Sequence, residues 1–289
     1  MIVELIKTMR PKQWVKNILL FAALIFDRKL TDLPAFLHIL AGFTVFSLFA
    51  SVVYIINDIV DIEADRQHPT KCNRAIASKK LSIRTAWISV IVLLIIAIPS
   101  AFWLSPSFAI ISIIYLSLNL AYSQWFKHIV LLDIIILASF YVVRVVAGVA
   151  LIEIERFSPW LYIVMSFLAL FIGAGKRRAE MALSTENINS HRRVLNMYTQ
   201  HFLDEIITSS ASITIITYSL YTFFAPNLPE NHIMMLTIPF VVFSIYRYQY
   251  LLQVKNIGGA PEDVLLSDTP IQFAVTLYGL AVLIIFYIF

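Results

Sequence analysis

The feature that most constrains this chain is a succession of apolar runs that fills nearly its whole length. Each run approaches the 20 or so residues that a helix needs to cross a bilayer. Few glycines and near-continuous apolar runs favour helices over a membrane barrel. The sequence therefore predicts an all-α integral membrane protein, a bundle of about nine transmembrane helices. The runs lie near residues 17–35, 36–57, 83–104, 107–123, 129–151, 158–175, 203–224, 232–252 and 269–289.

Charge content and its distribution agree with a membrane location. Only 14% of the residues are charged, against about 25% in soluble domains. With the N-terminus placed in the cytoplasm, 18 of the 22 Lys and Arg residues fall on that side and three on the other, while Arg144 lies within a run. By the positive-inside rule, we expect a multi-pass protein of the inner (plasma) membrane with a cytoplasmic N-terminus and a C-terminus on the periplasmic or outer side.

The connections between runs place the expected active site on one face of the membrane. The sequence predicts a single transmembrane domain over residues 1–289, with short outer connections and longer cytoplasmic ones. No cleavable signal peptide is evident, and the first turns are predicted to form a short interfacial helix closed by Pro11. The expected cytoplasmic active-site loops are about 58–82, 122–128, 176–202 and 253–268.

Carboxylates cluster where the second apolar run ends. Asp58, Asp61 and Asp65 fall within an arc of about 60° on an α-helix, next to Asn57. Carboxylates packed this closely repel one another unless a cation lies among them, and hard oxygen ligands suit Mg²⁺. The alternative is a solvated helix end with an ordinary mix of charges. Cations suited to phosphate oxygens follow directly: Arg66, His68, Lys71 and Arg74.

A second charged cluster follows the sixth run, at Gly175-Lys-Arg-Arg-Ala-Glu180. Lys176, Arg177 and Arg178 are consecutive cations in helical register, and Glu180 lies on the same face as Lys176. One interpretation is a phosphate clamp with Glu180 as an additional metal ligand. The other is a positive-inside anchor with a single ion pair on the helix face.

Further polar residues lie at or within the apolar runs. Tyr122 and Lys127 flank a membrane boundary, where an interface anchor is an equally good interpretation. Asp133 and Arg144 are ionisable groups inside a run, which usually face the bundle interior and pair. We expect Arg144 to line the deep end of a polar cavity, with a structural pairing as the alternative. Lys16 and Asn17 begin the first run and are predicted either to snorkel or to contact a lipid phosphate.

The carboxylate stretch with its following basic residues, in a chain with nine predicted helices, resembles the UbiA prenyltransferase superfamily. Several segments are similar to its decaprenyl-phosphate phosphoribosyltransferase branch. They are RPKQWVKN at 10–17, YSxxxKxxxxLLD at 122–133, RVVAG at 144–148, GKRRAE at 175–180 and PEDVLLSD at 261–268. The second acidic motif of the wider superfamily is replaced here by the basic GKRRAE segment.

The resemblance implies transfer of 5-phosphoribose from phosphoribosyl pyrophosphate (PRPP) to a polyprenyl phosphate, with release of pyrophosphate. It implies Mg²⁺ as the cofactor, with Asn57, Asp58, Asp61 and Asp65 as catalytic metal-binding residues, Asn57 also orienting the carboxylate ligands. Phosphate and substrate contacts are expected from Lys176, Arg177, Arg178, Tyr122 and Lys127, and lipid-phosphate contacts from Lys16 and Arg144. Other expected substrate-binding residues are Asn17, Arg66, Lys71, Arg74, Asp133 and Glu180.

Two other functions compete with this interpretation. An ordinary UbiA-type prenyltransferase, moving a prenyl group from prenyl diphosphate to an aromatic acceptor, would share the metal site but should carry a second acidic pair. A polyprenyl-lipid transporter would place its carboxylates near the bilayer midplane and often shows inverted repeats. Basic residues do not interleave with aromatics, so no nucleic-acid partner is expected. The bilayer is an expected partner, and the sequence leaves open a homo-oligomer, a trimer or another state.

Overall fold

The computed structural model describes residues 2–67, 71–152, 158–184, 193–225, 228–257 and 261–288, and no β-strand occurs among them. Stretches of 3-10 helix cover Pro11–Phe21, Lys71–Asn73, Phe126–His128, Arg193–Met197 and Ile233–Thr237. The α-helices are α1 (Ile2–Met9), α2 (Ala22–Phe26), α3 (Leu33–Val60), α4 (Ile62–Gln67), α5 (Ile83–Leu104), α6 (Pro106–Gln124), α7 (Leu132–Val149), α8 (Pro159–Ser184), α9 (Gln200–Phe224), α10 (Ile238–Gln253), α11 (Pro261–Ser267) and α12 (Thr269–Ile288).

Three of the long helices begin at hydroxyl residues that cap them. Ser82 accepts a hydrogen bond from the backbone N–H of Thr85 at the start of α5 (3.0 Å), and Thr199 accepts one from Phe202 at the start of α9 (3.1 Å). Ser105 caps α6 in the same way. Such a side-chain oxygen satisfies an N–H group that has no partner within the helix. The local sequence therefore fixes where these helices begin.

Among the described residues, seven helices are long and apolar enough to cross a membrane: α3, α5, α6, α7, α8, α9 and α12. They correspond to seven of the nine predicted runs, so the all-α membrane class is confirmed at that level. The count of nine stays a prediction. In the structure, neither of the two other predicted runs, 17–35 and 232–252, forms a single long α-helix.

The first run is divided rather than continuous. The 3-10 stretch Pro11–Phe21 leads into the five-residue α2, and a turn with Arg28 in the left-handed region (φ 57°) precedes α3. Asp32 caps α3 by accepting a hydrogen bond from the N–H of Ala35 (3.2 Å). The charged residues at 27–29 interrupt the apolar run after α2, and Asp32 caps the start of α3. The run at 232–252 likewise consists of a 3-10 stretch followed by the 16-residue α10.

The chain packs as two compact units, and the single transmembrane domain over residues 1–289 stays a prediction. The first unit comprises Met1–Leu24, Lys29–Trp125 and Val143–Glu153. In it α3 packs against α5, α6, α1 and the N-terminal 3-10 stretch. The end of α7 also approaches that stretch closely, since a Cβ on Gly148 would lie 2.1 Å from the carbonyl oxygen of Leu20. Glycine is therefore required at position 148 for this packing.

The second unit comprises Ile25–Arg28, Phe126–Val142 and Ile154–Phe289. Its main contact is between α8 and α9, and α10 packs against both α9 and α12. Buried side chains along these helices include Phe171, Ile207, Tyr248 and Leu252. Close helix packing is aided by Gly173, where a Cβ would lie 3.3 Å from the carbonyl oxygen of Ile134 in α7.

Candidate active site

The predicted carboxylate motif spans the end of α3 and the start of α4. Asp58 lies in the last turn of α3, Asp61 follows that helix, and Asp65 lies in α4. The backbone keeps helical hydrogen bonds across the junction, from Asp61 N–H to Asn57 C=O (2.9 Å) and from Asp65 N–H to Asp61 C=O (2.8 Å). The carboxylates therefore keep nearly the spacing that a continuous helix predicts, although the helix itself is interrupted.

Asp58 and Asp65 are both buried and converge on one guanidinium. Arg74 Nη1 lies 3.1 Å from Oδ1 of Asp58 and 2.6 Å from Oδ2 of Asp65. Arg10 forms a second ion pair with the same oxygen of Asp58. We call these four side chains the carboxylate cluster. Asp61, which lies between Asp58 and Asp65 in the sequence, is half-buried.

The loop after α4 holds Arg74 in place through its apolar residues. Arg74 follows the short 3-10 turn that begins at Lys71, and the next residues, Ala75 and Ile76, are buried. They pack with Val52 and Ile55 of α3. Hydrophobic burial of the loop thus fixes the backbone that carries the guanidinium. The other predicted cations are placed differently.

Arg66 and Lys71 are exposed. Arg66 pairs with Glu63 one turn before it in α4 (2.7 Å) and donates to the carbonyl of Ala77 (3.4 Å). These contacts direct Arg66 along the surface of α4. His68, the remaining cation of this stretch, lies outside the described residues.

Asn57 precedes the carboxylates and carries an unsatisfied polar atom. Among the described residues, its Oδ1 is buried and has no hydrogen-bond partner. Buried polar atoms are nearly always paired, so an orphaned acceptor beside two buried carboxylates marks a position suited to an added cation. The described residues contain no group of three or more His, Cys, Asp or Glu side chains arranged to hold a metal. The predicted roles of Asn57, Asp58, Asp61 and Asp65 as metal ligands therefore stay predictions.

The N-terminal 3-10 stretch runs along α3 and contributes polar contacts. Trp14 Nε1 donates to Ser51 Oγ (3.1 Å), and Asn17 Nδ2 donates to Ser47 Oγ (2.9 Å). Asn17 is fully buried, whereas Lys16 is half-buried on the same stretch. Each contact joins the N-terminal stretch to α3, about two turns or more before Asp58.

Arg144 is buried among polar and aromatic groups of the first unit. Its Nε donates to Asn17 Oδ1 (2.9 Å), and its Nη2 donates to the hydroxyl of Tyr115 (3.0 Å). The guanidinium also lies over the rings of Tyr115 (5.0 Å) and Phe46 (5.9 Å). Such cation–π contacts stabilise a desolvated cation. Arg144 therefore has protein partners in the first unit, Asn17 among them, and its predicted place at the deep end of a polar cavity stays a prediction.

A second buried network lies in the second unit around Asp133. Arg177, which is fully buried, donates from Nε to Asp133 Oδ2 (2.6 Å) and from Nη1 to Glu180 Oε2 (2.5 Å). Tyr198 donates its hydroxyl to Asp133 Oδ1 (2.6 Å) and accepts from the N–H of Leu131 (2.7 Å). Burial raises the pKa of Tyr198, and the Asp133 hydrogen bond raises that pKa further, so the phenol stays protonated.

The remaining predicted residues of the second unit are also largely committed to protein contacts. Arg178 is buried and donates to Asp204 (3.2 Å) and Asn256 (3.3 Å). Lys176 and Lys127 are half-buried, in α8 and in the 3-10 turn after α6. Tyr122, half-buried near the end of α6, belongs to the first unit. None of these placements tests the predicted substrate roles, which stay predictions.

Two contacts escape sequence reasoning. Arg10 is absent from the predicted site residues, yet it pairs with Asp58, 48 residues away. Tyr198 bonds Asp133 across 65 residues. Arg247 also forms an ion pair with Asp268 (2.9 Å), and the hydrogen bond from Arg247 holds the pKa of Asp268 below its usual value.

Comparisons with known proteins find similar sequences over nearly the whole chain. Residues 18–261 match the model of the UbiA prenyltransferase family. The decaprenyl-phosphate phosphoribosyltransferase of Mycobacterium tuberculosis (strain ATCC 25618 / H37Rv) is 34% identical over 276 residues, covering 94% of this chain and 90% of the relative. That of Corynebacterium glutamicum is 34% identical over 278 residues, covering 93% and 82%.

A solved structure has a similar fold. A UbiA homolog from Archaeoglobus fulgidus, bound to DMAPP and Mg²⁺, aligns with a TM-score of 0.74 over 99% of this chain and 100% of that chain. Its sequence identity is 17%, so this likeness concerns the fold alone.

Proposed function

The chain belongs to the UbiA prenyltransferase family, and we propose that it is a membrane phosphoribosyltransferase. It transfers 5-phosphoribose from PRPP to a polyprenyl phosphate and releases pyrophosphate. The observation that carries this assignment is the 34% identity, over more than 90% of the chain, to decaprenyl-phosphate phosphoribosyltransferases. The family expected from the carboxylate motif is thereby confirmed.

The reaction sets clear demands on the protein. The bond between ribose C1 and the pyrophosphate oxygen breaks, and a phosphate oxygen of the lipid forms the new bond to C1. That nucleophile is already ionised near neutral pH, so no strong general base is needed. The protein must position two anionic substrates and stabilise the charge that develops on the leaving pyrophosphate, which positioning and fixed charges can supply.

The carboxylate cluster fits a divalent cation, and we assign it to Mg²⁺. Asp58 and Asp65 already converge on one cationic group, Arg74, and the buried Oδ1 of Asn57 has no partner among the described residues. These are hard oxygen donors of the kind that Mg²⁺ prefers. Asp61 would complete the set from the turn between α3 and α4. When bound, the ion supplies Lewis-acid stabilisation of the leaving pyrophosphate.

The protein's own cations would bind the donor phosphates. Arg74 lies between the two buried carboxylates, and its planar fork suits phosphate oxygens. Lys71 and Arg66 lie exposed on the same stretch. We assign a phosphate contact to Lys176 as well. Arg177 and Arg178 donate to Asp133, Glu180 and Asp204, as Arg74 does to its own carboxylates, and we keep the donor-phosphate contact predicted for both as part of the proposal.

The acceptor side is assigned to the N-terminal stretch and Arg144. Lys16 is half-buried on the 3-10 stretch, and its neighbour Asn17 is held by both Ser47 and Arg144. Lys16 would contact the lipid phosphate, and Arg144 would fix Asn17 beside it. The excess of Lys and Arg supports a cytoplasmic location for the N-terminus and the carboxylate motif.

The proposal is tested with purified protein, labelled PRPP, Mg²⁺ and a polyprenyl phosphate. Labelled lipid should form, and it should be lost with EDTA and in Asp61→Asn, because the leaving group then lacks its cation. Asp32→Asn is the matched control, since Asp32 is an exposed cap of α3 and Asn caps helices as well. Prenyl transfer from a prenyl diphosphate, without labelled lipid from PRPP, would assign the chain to the ordinary prenyltransferases instead.

A further inference from the structure

Arg10 forms contacts that the proposed reaction has not used. Its guanidinium pairs with Asp58 and lies over the ring of Tyr54, 5.0 Å from the centroid. The Asp58 side chain is only 4% exposed, whereas that of Arg10 is 30% exposed. The pair therefore joins a buried carboxylate to a cation that reaches it from the solvent side.

The backbone at Arg10 has an uncommon conformation. Arg10 lies between α1 and the 3-10 stretch, in the left-handed region at φ 54°. A non-glycine residue adopts that conformation at an energetic cost, and such residues often occur at functional sites. The end of α1 is tied to α3, because Ser51 Oγ donates to the carbonyl of Met9 (3.3 Å). The backbone next to Arg10 is thus held against α3 at Ser51, about two helical turns before Asp58.

The four side chains of the carboxylate cluster, which do not include Asp61, balance in charge without any ligand. Asp58 and Asp65 carry two negative charges, and Arg10 and Arg74 carry two positive ones within ion-pair distance. A divalent cation arriving alone among these groups would meet two guanidiniums at short range in a partly buried site, where repulsion is poorly screened. The same cation arriving with a diphosphate brings negative charge to which both guanidiniums can turn.

We propose that Arg10 is a further donor-binding residue that couples metal binding to diphosphate binding. Without ligand, Arg10 neutralises Asp58. When metal and diphosphate bind together, Asp58 would bind the cation, and the Arg10 guanidinium would donate to a phosphate oxygen instead of to Asp58. The inference rests on the proposed function only in requiring a donor that carries a diphosphate. Its consequence is that neither ligand binds well without the other.

The test measures the two ligands separately in the full-length protein, with no turnover. Mn²⁺ alone is titrated and its free aquo ion followed by electron paramagnetic resonance, and labelled pyrophosphate is titrated at a fixed Mg²⁺ concentration. In Arg10→Gln we expect Mn²⁺ alone to bind about fivefold to tenfold more tightly and pyrophosphate to bind more weakly by a similar factor, within the usual range of coupling between sites. Arg84→Gln, an exposed arginine at the start of α5, should change neither affinity.

Arg10→Lys provides a second, milder variant in case Arg10→Gln does not fold. Lysine keeps the positive charge, so Mn²⁺ alone should still bind as weakly as in the parent. It lacks the planar guanidinium that donates two parallel hydrogen bonds, so the affinity for pyrophosphate should fall below that of the parent. Unchanged affinities in Arg10→Gln, or weaker binding of Mn²⁺ there, would overturn the proposal. Because pyrophosphate is the probe, coupling observed without any labelled lipid product would contradict only the assigned reaction, and product without coupling would contradict only the role of Arg10.

Discussion

Arg177 lies in α8 with no exposed surface, and its guanidinium donates to the carboxylates of Asp133 and Glu180. Asp133 is equally buried and also accepts from the hydroxyl of Tyr198. A buried ion pair gains little over well-packed apolar groups, but removing one partner leaves an uncompensated charge. The network is therefore sensitive to single substitutions and tolerant of paired ones.

Asp133→Asn should destabilise the protein strongly. It removes the charge that compensates Arg177 while leaving the side-chain shape almost unchanged, and breaking a buried pair in this way costs about 3–5 kcal/mol. The measurement is the thermal unfolding midpoint of the purified protein in detergent. The control is Glu205→Gln, whose carboxylate is exposed in α9 and pairs with exposed His201, and whose midpoint should stay close to that of the parent.

The double variant Asp133→Asn/Arg177→Met separates loss of the pair from loss of packing. With both charges removed, it should recover part of the stability lost in Asp133→Asn, because neither fully buried charge remains; Glu180, whose side chain is 26% exposed, also loses its contact with Arg177, so the recovery is incomplete. A double variant that is as unstable as the sum of its single changes would contradict the pairing as the source of the effect.

Sequence reasoning found residues whose partners are close along the chain. The spacing of Asp58 and Asp65 reflects the helical repeat, and Arg74 follows within nine residues of Asp65. Arg10 and Tyr198 could not be found in this way, because their partners lie 48 and 65 residues away. Their pairing depends on how α1 and the 193–199 stretch pack, and a single sequence carries no direct signal for that.

At the scale of elements, the approach of α7 to the N-terminal 3-10 stretch depends on Gly148. Gly148→Ala should destabilise the first unit by about 1–3 kcal/mol or more, because the new Cβ would lie 2.1 Å from a backbone oxygen that has no flexible side chain to move. The 3-10 stretch Pro11–Phe21 would be displaced from its packing, so a protease should cleave it faster. Limited proteolysis, with mass mapping of the cleavage sites in the N-terminal stretch, measures this.

Gly279→Ala is the matched control in α12. A Cβ at Gly279 would meet nothing within 4 Å, so the substitution should be neutral or stabilising by up to about 1 kcal/mol through helix propensity. Equal proteolysis of the two variants would show that the close contact between Gly148 and Leu20 does not hold the N-terminal stretch.

Elements differ in how well their sequence predicts them. The helices that begin at Ser82, Ser105 and Thr199 carry both an apolar run and a capping residue, and the predicted runs begin within a few residues of them. The 3-10 stretch Pro11–Phe21 has no comparable signal. Its apolar content fits either helix type, and its conformation reflects packing along α3 rather than local propensity.

At the scale of the whole molecule, the helix type bears on the number of crossings. A 3-10 helix rises about 2.0 Å per residue and an α-helix about 1.5 Å. The 11 residues of Pro11–Phe21 and the five of α2 can therefore extend about 30 Å, close to the hydrocarbon thickness of a bilayer. The same arithmetic gives about 34 Å for Ile233–Thr237 with the 16 residues of α10. Two runs that are too short as α-helices are thus long enough as composites for nine crossings.

The proposed orientation makes a specific prediction for the single native cysteine. Cys72 is half-buried in the turn that precedes Arg74, and we expect that turn to face the cytoplasm. In intact cells, a membrane-impermeant maleimide should leave Cys72 unmodified, whereas a permeant one should label it. Ser107→Cys in a Cys72→Ser background should label with both reagents, because Ser107 is exposed at the start of α6, at the opposite end of α5 from Arg84.

The two positions together distinguish topology from simple access. If Cys72 reacts with the impermeant reagent and the Ser107→Cys variant does not, the chain has the inverse orientation, and the carboxylate cluster would face away from a cytoplasmic sugar phosphate. The charge distribution argues against that outcome, since it would place 18 of the 22 Lys and Arg residues on the outer side. In the proposed orientation, the N-terminal stretch crosses outward and α3 returns Asp58 to the cytoplasmic face; a length of about 30 Å would be sufficient for that first crossing.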